Sequence, residues 1–399
     1  MLSFVMSGSL SAFGGLLPAG SASRAAQIMG DAYLLPTLAV VMLGGTHLLG
    51  EHGSYVGTVA DVIPITLLKS IISVVQIEEA GRQLIFSAVI FIMLLILRMT
   101  ESSLILPMPR RVANLLVFLA AFLWGLSFYF QKEAMSHIGP LLFTGIRGAI
   151  AALALLPFVW REYRQTGGEN RAITRFGILG GALFLVAGGL QQAGMITATL
   201  TNTAFLTALY VVATPFLLWL LRGEQPGLTV WLSAAVAFFG IWLLGGGTLM
   251  AFSSGDMLIA ASSLFWSLFM VVTSASSKLG KPLHYTFVQF ATVAALALPL
   301  AATFEVVSGS AIMTAAPSLL FVGVIASAIT YALMANVVRY IEASRAAVLL
   351  STEVLFAAAL GYALLGERLG AVNWLGAAIV FVAVLMVQLA KPRTKEKTA

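Results

Sequence analysis

The chain has 399 residues, 60% of them hydrophobic and 10% charged, with a net charge of +6 and no cysteine. A soluble chain of this length carries charge on roughly a quarter of its residues, so the medium around most of this surface is lipid. The absence of cysteine excludes disulfides, thiolate metal sites and cysteine nucleophiles, and the basic excess lies in short links between apolar runs, which is topogenic patterning rather than a nucleic-acid footprint.

Residues 1–100 begin with an apolar run (1–20), pass through the Gly-rich stretch LAVVMLGGTHLLGEHGSYVGT (38–58), and contain two candidate spans near 56–76 and 83–99. The first basic residue is Arg24, so no charged n-region precedes the opening run and no cleavable signal peptide is expected. Glu101-Ser102-Ser103 through Pro107-Met108-Pro109 reads as a linker ending in Arg110-Arg111, with a boundary near residue 105.

From residue 112 on, ten segments reach the ~20 apolar residues that a membrane helix needs. They run at 112–131, 139–159, 173–193, 200–221, 228–247, 255–275, 284–304, 317–338, 345–365 and 371–389. Their links carry turn chemistry, as in Gly223-Glu224-Gln225-Pro226-Gly227 and Gly280-Lys281-Pro282. The runs are too long for strands and lack two-residue alternation. The expected fold is an all-α polytopic membrane protein: ten transmembrane helices, preceded by a segment with two to three more.

The ten-helix block is written twice. Residues 201–244 align with residues 344–387, so that Leu206 meets Leu349, Gly223-Glu224 meets Gly366-Glu367 and Trp231 meets Trp374. Phe122-Leu123-Trp124 likewise meets Leu264-Phe265-Trp266. One set of ends and links holds Arg110, Arg111, Arg161, Arg164, Arg171, Arg175, Arg222, Lys278, Lys281, Arg339, Arg345, Lys391, Arg393, Lys395 and Lys397; the other holds Lys132 and Arg368. That bias puts the first set in the cytoplasm. Five helices per half is odd, so the repeats are inverted, with a substrate site expected where the halves meet. The domains read as 1–105, 106–250 and 251–399.

An ionisable side chain deep in a span costs a few kcal/mol or more and marks a functional candidate. Two stand clearly mid-span. Arg147 lies eight residues past Gly139 and Glu353 eight past Arg345, each ~12 Å below a membrane surface at ~1.5 Å per residue. In the repeat register Arg147 corresponds to Gln289 and Glu353 to Tyr210, so all four are expected at one midplane level. An arginine offers fixed donors for a carboxylate or phosphate, and a glutamate in a low-dielectric cavity is a proton carrier. The alternatives to this favoured reading are that Arg147 and Glu353 form a locking ion pair or that Arg147 snorkels to the cytoplasmic face. Trp124, Trp266, Tyr331 and Asn336 are candidates for the cavity lining, with packing the alternative. Pro215 is expected to interrupt the fourth span. Glu224 and Glu367 are expected to pair with Arg222 and Arg368 at their own helix ends. The four histidines do not cluster at ligand spacing, so no metal or cofactor is expected, and Walker A, GxSxG and HExxH motifs are absent.

Four stretches resemble one family. They are FLAAFLWGLSFYFQKEAM (118–135), PLLFTGIRGAIAALALLPF (140–158), FLTALYVVATPFLLWLLRGE (205–224) and VLLSTEVLFAAALGYALLGERLG (348–370). Their order, spacing and duplication are similar to the EamA-type ten-helix members of the drug/metabolite transporter superfamily. The resemblance covers residues 112–391 and departs at Val354, where a proline is expected after Glu353. It implies gradient-driven alternating access, export more often than import, a small-molecule solute and surrounding membrane lipid as partners, and no enzymatic activity. A second copy of the chain is an admissible partner. Residues 1–100 resemble the C-terminal third of a ribose-type ABC sugar permease, most of which is missing, so an ATPase partner is not expected. The rival functions are a subunit of an ABC importer and a non-transporting membrane scaffold.

Overall fold

The computed structural model describes residues 2–21, 37, 110–166, 170–223, 225–244, 246–247, 253–364 and 366–389. The chain divides into two compact units, Met1–Glu101 and Ser102–Ala399. In the first, the apolar opening forms helix α1 (Leu2–Ser21). The Gly-rich stretch 38–58, the spans expected near 56–76 and 83–99, and the linker through Pro109 lie outside the described residues.

All regular structure among the described residues of the second unit is helical, as a segment in lipid must be to satisfy its own backbone polar groups. The first half comprises α2 (Arg110–Ala134), α3 (Pro140–Thr166), α4 (Arg171–Met195), α5 (Leu200–Thr207), α6 (Tyr210–Arg222) and α7 (Leu228–Leu244). The second comprises α8 (Ser254–Ser277), α9 (Pro282–Phe304), α10 (Gly309–Leu320), a π-helical segment (Phe321–Ile329), α11 (Thr330–Val337), α12 (Ala343–Leu350), α13 (Glu353–Leu364) and α14 (Ala371–Leu389). Eight stretches are long and apolar enough to cross a membrane, while the apolar helices closing each half, Leu228–Leu244 and Ala371–Val387, are shorter.

The closest packing joins the halves rather than consecutive helices. α3 packs on α9, α7 on α14, α4 on α8, and α2 on α13. The α7–α14 crossing is tight because Gly240 and Gly376 face each other's backbones: a Cβ on Gly376 would come within 2.5 Å of the Gly240 carbonyl oxygen.

Carboxylates from one half cap helix starts in the other. Glu305, just past α9, accepts from the amides of Leu141 and Leu142 at 2.8 Å each. Glu162, near the end of α3, accepts from the amides of Leu283 (3.3 Å) and His284 (2.8 Å) at the start of α9. The two antiparallel helices are thus capped by each other's ends, which satisfies amides that have no intrahelical partner. Glu367 does the same for α5, accepting from the amides of Leu200 (2.8 Å) and Thr201 (3.2 Å) and from the Thr201 hydroxyl. The expected local pairing of Glu367 with Arg368 is therefore replaced by a cap across the halves. Glu224 lies outside the described residues.

Spans four and nine are each broken in the middle, at Ala208-Leu209 and at Ser351-Thr352. Neither break is made by proline. Pro215 sits inside the continuous helix α6, and Val354 follows its break without preventing it. Both breaks tighten into bonds three residues back: Val211 N to the Ala208 carbonyl (2.9 Å) and Val354 N to the Ser351 carbonyl (3.2 Å). In the second, the hydroxyls of Ser351 and Thr352 donate to the carbonyls of Val348 and Leu349 and compete with the ladder.

Candidate functional site

Both breaks open onto one cavity at the junction of the halves, a place where helical proteins hold small molecules. α2 contributes Trp124, Ser127, Phe128 and Gln131, one helical face at intervals of three and four residues. α8 contributes the register-equivalent Trp266, Phe269 and Met270. Arg147 comes from α3, Gln191 from α4, Thr207 and Tyr210 from the two sides of the first break, and Leu350 and Glu353 from the two sides of the second; Tyr331 comes from α11. Gly125 lets α2 reach the second break, because its added Cβ would lie 2.6 Å from Phe356 Cβ and 2.7 Å from the Glu353 carbonyl oxygen.

Tyr210 and Glu353 are the first residues after the two breaks and occupy the same place in the repeat. The Tyr210 hydroxyl donates to Glu353 Oε1 at 3.0 Å, with both side chains buried. Arg147 is 4% exposed. Its Nε and one terminal nitrogen donate to Ser327 Oγ at 3.1 and 3.0 Å, the other terminal nitrogen approaches Gln131 Oε1 at 3.5 Å, and the guanidinium lies 5.1 Å from the ring centre of Phe184. Arg147 and Glu353 share the cavity without forming an ion pair with each other, and the arginine is too deeply held to snorkel.

Around these groups the polar atoms are largely committed. Gln131 accepts from Gln192 and donates to Ser127 Oγ at 2.8 Å. The indole N–H of Trp124 donates to the Ala326 carbonyl at 2.9 Å, and that of Trp266 to Gln191 Oε1 at 2.8 Å. Phe184 is a buried hub whose ring meets Trp266, Phe290 and Tyr331 at centroid distances of 5.1 to 5.3 Å. Ser327 and the Ala326 carbonyl both belong to the π-helical segment, whose wider turn frees backbone groups for such contacts.

Of the residues expected at the site, the structure brings Arg147, Glu353, Tyr210, Trp124, Trp266 and Tyr331 to one cavity. It leaves Gln289 and Asn336 outside the lining. Gln289 is fully buried on α9, where that helix packs on α4 so closely that a Cβ on Gly181 would lie 2.5 Å from the Gln289 carbonyl oxygen. Its register partner Arg147 faces the cavity, so the two-fold relation holds for backbones and not for side-chain surroundings. Gln131, Thr207 and Ser327 were not expected. Gln131 was within reach, seven residues beyond Trp124 on one helical face, whereas Ser327 depends on the π register and leaves no trace in the sequence.

The sequence profile of the EamA-like transporter family matches residues 111–246 and 253–389, one match for each half. An uncharacterized transporter of Archaeoglobus fulgidus is 30% identical over 280 residues, covering 70% of this chain and 87% of its own length. The uncharacterized transporter YwfM of Bacillus subtilis is 28% identical over 301 residues, covering 73% of this chain and 98% of its own. A solved crystal structure with a TM-score of 0.56 at 16% identity covers 70% of this chain and 97% of its own, a likeness of fold. With eight long apolar helices and a shorter one closing each half, written as two matched repeats around a central cavity, the chain belongs to the EamA-like transporter family and is a multi-pass membrane transporter.

Proposed function

We propose that this transporter carries a small solute across the cytoplasmic membrane by alternating access, in the export direction and in exchange with protons at Glu353. The observation that supports it most is the meeting of two broken spans at one cavity, where the register-equivalent Tyr210 and Glu353 are joined by a hydrogen bond. A broken span moves as two short levers about its break, and a buried carboxylate held there ties protonation to the position of both levers. The titratable groups around it are Arg147, Tyr210 and Tyr331. The basic bias of the links supports a cytoplasmic location for both ends of the ten-helix block. Residues 1–105 act as a passenger and recruit no ATPase.

The test compares the extracellular metabolites of cells expressing the full chain with those of cells expressing Glu353→Gln at equal membrane level. A metabolite that accumulates outside only with the unaltered chain supports export through this site. Equal accumulation with both proteins overturns the role of Glu353.

A further inference from the structure

The cavity is chemically lopsided. The first half supplies Ser127, Gln131, Arg147 and Gln191, whereas the second supplies Phe269 and Met270 where the first has Ser127 and Phe128. Among the described residues, Arg147 is the one cation in the lining and has no carboxylate partner. Lys132, next along α2 from Gln131, is committed to the main-chain carbonyls of Met195 and Ala198.

Arginine has five N–H donors. Those spent on Ser327 and directed at Gln131 leave one N–H on each terminal nitrogen. Donors on both terminal nitrogens of one guanidinium can meet the oxygens of a carboxylate. Thr207 adds a buried hydroxyl that lines the cavity and has no hydrogen-bond partner among the described residues. Gln131 Oε1 is taken by Gln192, Gln191 Oε1 by Trp266 and Glu353 Oε1 by Tyr210, while Glu353 Oε2 remains an acceptor. The unspent donors of Arg147 and Thr207 favour a ligand that brings acceptors to that side of the cavity. A dianion such as a phosphate monoester would place a second negative charge beside Glu353 with no second cation to meet it, a heavy cost in a low-dielectric site.

The rest of the ligand meets hydrocarbon and ring faces. Both tryptophan N–H groups are turned to protein acceptors, so Trp124 and Trp266 offer the cavity little but apolar surface.

We propose that the cavity takes organic monocarboxylates with a flat apolar body, the carboxylate paired to Arg147 and the body packed against Trp124, Trp266, Phe269 and Tyr331. The inference rests on the transport reading for its place in the molecule, and its test separates the two.

The full chain, purified in detergent, is titrated calorimetrically with 3-phenylpropanoate, 3-phenylpropanamide, 3-phenylpropylamine and phenyl phosphate. The acid is expected to bind about tenfold to a hundredfold more tightly than the amide, the span set by a charge-assisted hydrogen-bonded pair. The amine and the phosphate should bind more weakly than the acid. Arg147→Gln should erase the preference for acid over amide while leaving amide affinity in place. If that variant does not fold, Arg147→Lys, which keeps the charge and loses the fork, should show a reduced preference. Equal affinity for acid and amide, tighter binding of amine or phosphate, a preference that survives substitution of Arg147, or no binding of the acid would each overturn the proposal. Counterflow in vesicles addresses the other reading. Acid that binds through Arg147 but never exchanges across the bilayer would refute transport and leave the ligand class standing. Exchange of an amine in place of the acid would do the reverse.

Discussion

Tyr210→Phe removes the hydroxyl that donates to Glu353 Oε1 at 3.0 Å, and its cost depends on what it leaves behind. A hydrogen bond to a charged group contributes about 1.5–3 kcal/mol and one between neutral groups about 0.5–1.5 kcal/mol. Glu353 is buried, and among the described residues its hydrogen-bond donor is Tyr210. In the Glu353 background, at a pH that ionises the carboxyl, the substitution therefore strands a carboxylate and is expected to cost about 2 kcal/mol. In the Glu353→Gln background, where the side-chain amide oxygen can still accept, it is expected to cost about 1 kcal/mol. Glu353→Gln alone should be near neutral, because the weaker bond is offset by relief from burying a charge. The double-mutant cycle should then give a coupling of about 1 kcal/mol, read by reversible unfolding in mixed micelles for all four proteins. Vesicle flux on the same four should be flat with pH wherever Glu353 is absent. A coupling of zero would mean that the carboxylate has another partner, and the reasoning from this contact would fail. Retained pH-dependent flux in Glu353→Gln would remove the proton role even with the coupling intact.

Gly125→Ala places a methyl group 2.7 Å from the carbonyl oxygen of Glu353, and backbone cannot yield there; a loss of about 1–3 kcal/mol is expected in the same unfolding assay, together with reduced flux. Glu305→Gln and Glu162→Gln each weaken a cap between α3 and α9 and should each cost about 0.5–2 kcal/mol. Their effects should be close to additive, since the caps sit at opposite ends of the helices. Ser327→Ala frees the guanidinium of Arg147 without touching its charge, so substrate KM should rise several-fold at unchanged protein level in a transport assay. Deleting residues 1–105 should leave flux per folded molecule unchanged in vesicles, and loss of flux from a well-folded truncation would end the passenger reading.

Much of the architecture was legible because lipid punishes polarity. Ten apolar runs could be counted directly, and Arg147 and Glu353 stood out as charges with no surface near. Register equivalence then led to Tyr210, whose bond to Glu353 the repeat placed within reach. The same equivalence misled at Gln289, since a two-fold axis fixes where a backbone passes and says nothing of which neighbour its side chain meets. The caps made by Glu162, Glu305 and Glu367 were hidden for another reason. Each carboxylate serves amides more than 100 positions away, so nothing beside it in the chain shows its partner. An interruption was expected at Pro215 and none was signalled by Val354 after Glu353; hydroxyls competing for carbonyls, not proline, mark the second break. No residue type in FVGVIASAI announces a π-helix, and Ser327 could not be found without it.

The bond between Tyr210 and Glu353 has a meaning for how such a molecule can be assembled. On a strict two-fold axis a residue can only meet its own copy, so a dimer of identical halves would set tyrosine against tyrosine or glutamate against glutamate. Two buried carboxylates face to face repel, and two phenols give one redundant donor. Carrying both halves on one chain lifts that restriction and lets the axis hold unlike partners, a donor facing an acceptor. The asymmetry that sets an arginine from one half and a glutamate from the other in the same cavity is open only to a molecule whose two copies are free to differ.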